Sequence, residues 1–475
     1  MDFIPDTGSW AKHVYGACRL GDKRRTKRLV AFATRQALRP DASIPTACEG
    51  DSASQEGAYR FIENDLVDAH AIEEGTSKRF LKDADGLPVV LALQDTTTVT
   101  YSHALKEALG ATGAKTTRGM LVHSVLLVEP EEKSIIGLGA QKWWVRKVNR
   151  KKKNERRQVP YRDKESYKWE QTLSIVLQRT KRKAHLVSVC DREADIHEFL
   201  QFHAEQNLRH VIRSWHSRAL ETPRGNLWTV LSKQPVVGHR NVVVEQRGPG
   251  QSKSTGKARA PRKGRIARTE IRTVSVTIKP GKYGVTKDKK SLSINAIKVS
   301  EVDCPPEEEP LKWILLTTEP VDTLEAATRV INYYEMRWLI EEFHKCWKTG
   351  CALEQKRLQE LGNLERIMAI LAPIAARLLQ LKSVYDSRPE ASCEQLMSRT
   401  EWVCLWLHSN PRKKKPPKKA PTINWALTAV ARTAGWTDTK RTGRIGWRTL
   451  WKGWFKFEEM VKGFETALRM QGVKL

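Results

Sequence analysis

Three carboxylates stand out by what surrounds them. Leu87-Pro88-Val89-Val90-Leu91-Ala92-Leu93-Gln94 is a short apolar run that ends on Asp95, and His185-Leu186-Val187-Ser188-Val189-Cys190 is a second that ends on Asp191. Runs of this kind form strands buried on both faces, so each delivers its aspartate to a strand end. Paired carboxylates suit metal-assisted phosphoryl transfer. Mg²⁺ takes oxygen ligands in octahedral geometry and leaves positions for water and phosphate. Two such ions about 3.5–4 Å apart activate the attacking oxygen and stabilise the leaving one. Taken singly, a strand-terminal aspartate is more often a cap or turn residue.

The third acid has company. Tyr334, Arg337, Glu341 and Lys348 fall at offsets 0, 3, 7 and 14 in a segment that reads as one long helix, capped by Asp322 or Thr323 and stopping near Gly350. At about 100° per residue the four project within a sector of about 60°. One face then carries a phenol, a guanidinium, a carboxylate and an ammonium: an acid to hold a cation amid groups that hold phosphate. The same spacing also allows a plain salt bridge between Arg337 and Glu341.

These residues need a scaffold, and the pattern along the chain supplies one. Residues 1–70 read as helical. From about 71 short apolar runs alternate with helical stretches, with further strands over Met120–Val128, Ile135–Gly139, His210–Arg213 and Lys312–Leu316. Period-two segments between about 223 and 310 predict an antiparallel β insertion in this α/β region. It carries a basic tip (Lys253, Lys257, Arg259, Arg262, Lys263, Arg265, Arg268). A helix over about 362–384 contains Pro373. After 386 comes a helical tail, rich in tryptophan near its end (Trp436, Trp447, Trp451, Trp454), which suits core or dimer surface.

The 475 residues hold 83 Lys+Arg against 54 Asp+Glu, a net charge of +29. Such an excess attracts a polyanion, and nucleic acid is the partner it points to. Arg24, Arg25 and Arg28 share one side of an N-terminal helix, positioned for DNA phosphates or a groove. Residues 146–162 carry nine Lys/Arg and one acid. The eight cysteines show no C-x-x-C pair and read as reduced cytosolic thiols. No run approaches the roughly 18 apolar residues of a membrane span, and the start lacks a signal-peptide pattern. A cytoplasmic protein without membrane contact is expected.

Tyr334-x-x-Arg337-x-x-x-Glu341-x-x-x-x-x-x-Lys348 resembles the Y-R-E-K signature of bacterial DDE transposases of the insertion-sequence-four family. Asp191-Arg192-Glu193-Ala194-Asp195-Ile196 resembles that family's second aspartate motif, and Asp95-Thr96-Thr97 the first. Glu56-Gly57-Ala58-Tyr59-Arg60-Phe61-Ile62 and Lys440-Arg441-Thr442-Gly443 extend the likeness towards both ends. The resemblance implies an RNase-H-like catalytic core over 71–386, interrupted by the β insertion. Flanking it would be an N-terminal helical domain (1–70) binding transposon ends and a C-terminal helical dimerisation domain (387–475). It implies two Mg²⁺ ions on Asp95, Asp191 and Glu341, with Mn²⁺ able to substitute. It also implies double-stranded DNA as transposon end and target, and a homodimer in the synaptic complex. Trp313 and Trp338 match family tryptophans that handle a flipped base, and Arg213 a DNA-contacting arginine. His103 and His123 sit in family-like contexts as candidate DNA contacts. An RNase-H-like nuclease or resolvase without strand transfer, and an inactive DNA-binding copy, are the rivals.

Overall fold

The structure is a computed structural model. It describes residues 3–101, 108–112, 118–146, 155, 158–244, 246, 248, 250–251, 258–259, 261–281, 289–413, 415–439 and 443–472. A large mixed sheet carries the chemistry-bearing segments. Its first half comprises β1 (Val90–Tyr101), β2 (Gly110–Ala111), β3 (Arg118–Glu129), β4 (Ser134–Trp144), β5 (Leu186–Cys190) and β6 (Arg209–Arg213). The spatial order is β4-β3-β1-β5-β6: β3 runs antiparallel to β1 and β4, whereas β1, β5 and β6 are parallel. Parallel neighbours need crossovers. Those around β5 are helices over Lys168–Arg179 and His197–Glu205. The first buries Trp169, Thr172, Leu173, Val176 and Leu177, a stripe at helical spacing.

Register places the two aspartates. Gln94 on β1 pairs with Cys190 on β5, so Asp95 and Asp191 follow at the same level on adjacent strands. β5 stops at Cys190. β1 does not stop at Asp95, contrary to the expectation from its apolar run; it continues to Tyr101 against β3, with Asp95 opposite Ser124. Thr96–Tyr101 are β-branched or aromatic residues that favour a pleated, half-buried strand.

The second half of the sheet is β7 (Ala219–Thr222), β8 (Gly225–Asn226), β9 (Gly238–Val244), β12 (Arg265–Ile278), β13 (Leu292–Glu301) and β14 (Lys312–Thr317). The two-residue strands β10 (Gly250–Gln251) and β11 (Ala258–Arg259) pair separately. β14 pairs antiparallel with β6, Leu316 opposite Ile212, so the halves form one sheet. Arg265 belongs to this framework rather than to a free basic tip: it is bonded to Glu301 at 2.8 Å. Parts of the 146–162 and 253–268 basic segments, and Lys440–Thr442, lie outside the described residues.

The helices are α1 (Thr7–Tyr15), α2 (Lys23–Leu38), α3 (Ile44–Ala47), α4 (Ser52–Ile62), α5 (Ala69–Asp83), the crossovers α6 and α7 named above, and α8 (Leu227–Lys233). There follow α9 (Leu324–Glu335), α10 (Trp338–Lys345), α11 (Leu361–Ser387), α12 (Arg399–Ser409), α13 (Ile423–Thr433) and α14 (Trp447–Gln471). The segment expected as one long helix is therefore two. Thr323 caps α9 by accepting from Ala326 N–H. At Met336–Arg337 the helix is interrupted, as Arg337 N–H bonds to Tyr334 and Ile340 N–H to Arg337, three residues back rather than four. α10 closes in a π turn over Cys346–Gly350.

α11 is a long helix of the core. It is long and apolar enough to cross a membrane, yet most of it is buried within the protein. Arg366 and Arg377 interrupt its apolar run. Both are buried and spent on backbone carbonyls: Arg366 on Ile62 and Val67, Arg377 on Ile4 and Pro5. One continuous core joins α1–α5, the sheet and α11, and a second gathers around α12–α14, with Trp402, Trp454 and Phe457 inside it. All eight cysteines are free thiols and seven are buried.

Candidate active site

Asp95 is half-buried, and its Oδ1 accepts Thr96 N–H at 2.8 Å. Asp191 caps the turn that follows β5: its Oδ1 accepts Arg192 N–H at 2.7 Å, and the Tyr334 hydroxyl donates to the same oxygen at 3.4 Å. Arg337 donates through Nη2 to Glu341 Oε1 at 2.5 Å. Burial pushes Asp95 up to about 7, although Arg337 pulls it down; the charges of Glu341 and Asp191 push it further up. Burial alone would lower Arg337, but Tyr334, Asp191 and Glu341 hold it above its ordinary value. The interrupted helix thus brings Tyr334, Arg337 and Glu341 to the two aspartates, around one guanidinium.

The donor set suits a hard divalent cation, because carboxylate oxygens are its preferred ligands. Among the described residues, however, no three His, Cys, Asp or Glu side chains lie close enough together to hold a metal ion. Glu341 is turned to Arg337 and its side chain is 57% exposed. Asp95 and Asp191 supply carboxylate oxygens from the same level of adjacent strands, the donor type such a cation takes. Glu341 completes the set only by exchanging Arg337 for the ion.

The remaining residues singled out from the sequence are distributed around this centre. Trp313 meets Tyr334 edge-on, centroids 5.4 Å apart. Burial raises the Tyr334 phenol to about 12. Trp338 is exposed at the start of α10. Arg213, at the end of β6, donates to the Lys312 carbonyl at 3.4 Å. Lys348 donates to the Thr98 carbonyl at 2.7 Å and pairs with Glu354 at 3.1 Å. It lies along β1 beyond Asp95, and Glu354 also accepts from Thr100 N–H and Oγ1.

His123 is not at the surface. It is fully buried beneath Asp95, its Nδ1 2.8 Å from Thr96 Oγ1 and its Nε2 3.2 Å from Gln94 Oε1. Burial holds it well below its ordinary pKa, hence neutral. So placed, it bonds the two residues that flank Asp95 on β1 and has no surface to offer DNA. His103 lies outside the described residues. Sequence reasoning missed Lys168 at the start of α6, whose charge interacts with that of Asp95. It also missed Asp195, which is buried and bonded to Trp215 N–H, His216 N–H and Arg218.

The basic helix α2 divides its three arginines. Arg24 is exposed, its side chain 91% accessible. Arg28 is exposed and its guanidinium crosses Gly57 of α4, where a Cβ would collide with it. Arg25 turns inward and donates to the Leu20 and Leu66 carbonyls at 2.9 and 3.3 Å. The shared face of three cations is therefore two, and Arg25 ties loops. Replacing Arg24 and Arg28 by Glu is expected to weaken DNA binding and flatten the log–log salt slope by about 1.8, at about 0.9 per phosphate contact. Arg25→Glu should instead lower the melting temperature. Binding isotherms across a salt series check both, and an unchanged slope in the double variant would return this helix to solvent.

Comparison with known families locates both regions. Residues 7–67 match the family described as transposase DNA-binding, and residues 148–377 match the transposase DDE domain. The second interval contains Asp191 and Glu341 but begins after Asp95, whose place beside them rests on the strand register. Among solved structures, the chain overlaps the cryo-EM structure of a piggyBac transposase synaptic complex with hairpin DNA. The overlap has 11% identity and a TM-score of 0.37, covering 81% of this chain and 76% of that one. That overlap is too loose for residue correspondences. With a transposase DNA-binding domain followed by a transposase DDE domain, the chain is a DDE transposase, a DNA-cleaving enzyme.

Proposed function

We propose that this enzyme performs cut-and-paste transposition as a member of the insertion-sequence-four family. It nicks DNA at a transposon end, closes a hairpin on that end, reopens it and joins the 3′-OH to a target. Water, the 3′-OH, water and the 3′-OH would attack phosphodiesters in turn at one site. The observation that carries this reading is the level placement of Asp95 and Asp191 on adjacent parallel strands, with Arg337 and Glu341 brought against them. The strand order β4-β3-β1-β5-β6 with its single antiparallel neck at β3 supports an RNase-H-like core. The homodimer pairing two ends is supported by the family resemblance alone.

Two Mg²⁺ ions held by Asp95, Asp191 and Glu341, or Mn²⁺ in their place, would supply charge for the attacking and leaving oxygens. The protein's own groups do the rest. Arg337 balances the acids before DNA arrives. Once Glu341 leaves it, its guanidinium is free to take a phosphate in a bidentate grip. Tyr334 holds Asp191 from one side, and Lys348 fixes β1 beyond Asp95 and offers a further cation to the DNA.

Trp338 and Trp313 would stack on a base extruded during hairpin closure, which offsets lost stacking by about 1–3 kcal/mol. Exposed Trp338 takes the base directly, and Trp313 backs Tyr334. Trp338→Ala is expected to nick at the parent rate but to form hairpin about ten-fold more slowly; Trp313→Ala should show a smaller defect. Labelled transposon ends, taken from the inverted repeats flanking the gene, provide the assay. Joined products support the reading. Cuts without joining would make the protein a nuclease or resolvase, and binding without cuts an inactive copy. Hairpin formation at the parent rate in both tryptophan variants would remove their role.

A further inference from the structure

A second aromatic surface lies near Asp191, through the residue that follows it. Trp215, in the loop after β6, leaves 53% of its surface exposed, and the Arg192 guanidinium sits 4.5 Å from its ring centroid. Arg192 immediately follows Asp191. Trp228 on α8 is 37% exposed, with the Lys312 ammonium 5.8 Å from its ring. Its indole N–H points at Ser214 Oγ, 3.5 Å away, and its backbone N–H donates to Ser217 Oγ at 3.3 Å, so Trp228 is docked on the loop that carries Trp215. Arg213 links this loop to β14 through the Lys312 carbonyl.

The loop is built to stay put. Asp195, 4% exposed, accepts Trp215 N–H at 2.7 Å and His216 N–H at 2.9 Å on Oδ2, and Arg218 Nε at 2.9 Å on Oδ1. Buried hydrogen bonds to a charged group are among the stronger ones. They fix the backbone of a segment whose indole is left in solvent. An exposed aromatic ring on a rigid mount, paired with a cation, is suited to a base: the π face stacks and the cation neutralises the adjoining phosphate.

We propose that Trp215 and Trp228, with Arg192 and Lys312, form a ridge that binds the unpaired bases of a DNA strand leaving the Asp95–Asp191 site. This rests on the reading of that site as one that opens DNA, and it adds a binding surface distinct from Trp313 and Trp338. The ridge reads no sequence, because every base offers a π face. Its place next to Asp191 means that a strand seated there emerges directly from the reacting phosphodiester.

The test compares a duplex carrying an oligothymidine tail with the same duplex left blunt, both bound in Ca²⁺ so that cleavage is suppressed. The wild-type chain should prefer the tailed duplex by about ten-fold or more. Trp215→Ala with Trp228→Ala should abolish that preference and leave blunt-duplex affinity unchanged, whereas Trp215→Phe should retain most of it. Iododeoxyuridine placed in the tail should crosslink on irradiation to peptides containing Trp215 or Trp228. A wild-type chain indifferent to the tail, equal losses on both duplexes, or crosslinks confined to other tryptophans would overturn the proposal. So would a double variant that changes oligomeric state while keeping its tail preference, since the ridge would then be a protein interface. Cleavage by the wild-type chain in Mg²⁺ is scored separately. Cleavage without tail preference rejects the ridge alone, and tail preference without any cleavage rejects the proposed transposition chemistry.

Discussion

Asp95→Ala, Asp191→Ala and Glu341→Ala are each expected to bind DNA ends but to nick, close and join them about 10²–10³-fold more slowly, the scale on which loss of one group aimed at developing charge is felt. The argument runs through Arg337. That guanidinium holds Glu341 at 2.5 Å and lowers Asp95 against the opposing push of Asp191 and Glu341. Removing either aspartate deletes an oxygen donor from adjacent strands, and no other acid among the described residues forms a cluster to replace it. Removing Glu341 frees Arg337 to swing onto Asp95 and Asp191, so the site loses a donor and gains a competing cation. Glu341→Ala should therefore require more Mg²⁺ than Glu341→Gln for any residual nicking. Binding persists in all of them, because end affinity comes from Lys/Arg contacts to phosphate elsewhere. Mn²⁺ should replace Mg²⁺, whereas Ca²⁺ should support binding only. Gel shift and cleavage on the same preparations decide it: near-normal nicking by a folded Glu341→Ala protein would remove Glu341 from the site and dissolve the constellation.

Much of the scaffold was legible because continuous apolar runs have few alternatives. The segments ending at Asp95 and Asp191 had to be buried strands, and both are. What the runs could not say is where a strand stops once its faces are no longer both covered. β1 continues past Asp95 because Thr96–Tyr101 still favour a strand and β3 still pairs with it. Nor does one-dimensional spacing reveal that β1 and β5 are neighbours, a fact set by crossovers and packing.

The helix arithmetic failed for a different reason. Angles of about 100° per residue assume unbroken bonds four residues back, whereas the chain tightens at Met336–Arg337 and loosens into a π turn at Cys346. Tyr334, Arg337 and Glu341 still reach the aspartates, but Lys348 lands further along β1. Burial misled at single residues as well. A histidine within a strand and an arginine on a basic helix look free in sequence, yet His123 lies under Asp95 and Arg25 holds two carbonyls. Charge patterns report a residue's type and not the direction in which it turns.

The raised Asp95 gives the last expectation, and it has opposite signs for stability and for metal binding. The ordinary value is 3.8 and the folded value about 7. Between these the folded chain holds a proton that the unfolded chain has released. Stability from this group is thus fully present below about pH 4 and is lost as pH rises through about 7. At about 1.4 kcal/mol for each tenfold change in proton affinity, the loss is on the order of 4 kcal/mol at most. Glu458 is also raised to about 7 by burial and must be separated from it. In chelator, the parent chain should lose more stability, or gain less, between pH 5 and pH 8 than Asp95→Asn, which keeps every other titrating group, among them the raised Glu458, Glu170 and Glu335 and the lowered buried histidines. Metal affinity should move the other way. A bound cation requires the carboxylate, so Mg²⁺ binding and nicking should rise with pH through about 7 with the release of one proton. Added Mg²⁺ should then restore at pH 8 the stability lost in chelator, by binding the folded chain alone. Calorimetric titration at both pH values, beside melting curves with and without Mg²⁺, tests the pair. If Asp95→Asn loses as much stability across this range as the parent, the titrating group lies elsewhere and Asp95 enters the reaction already ionised.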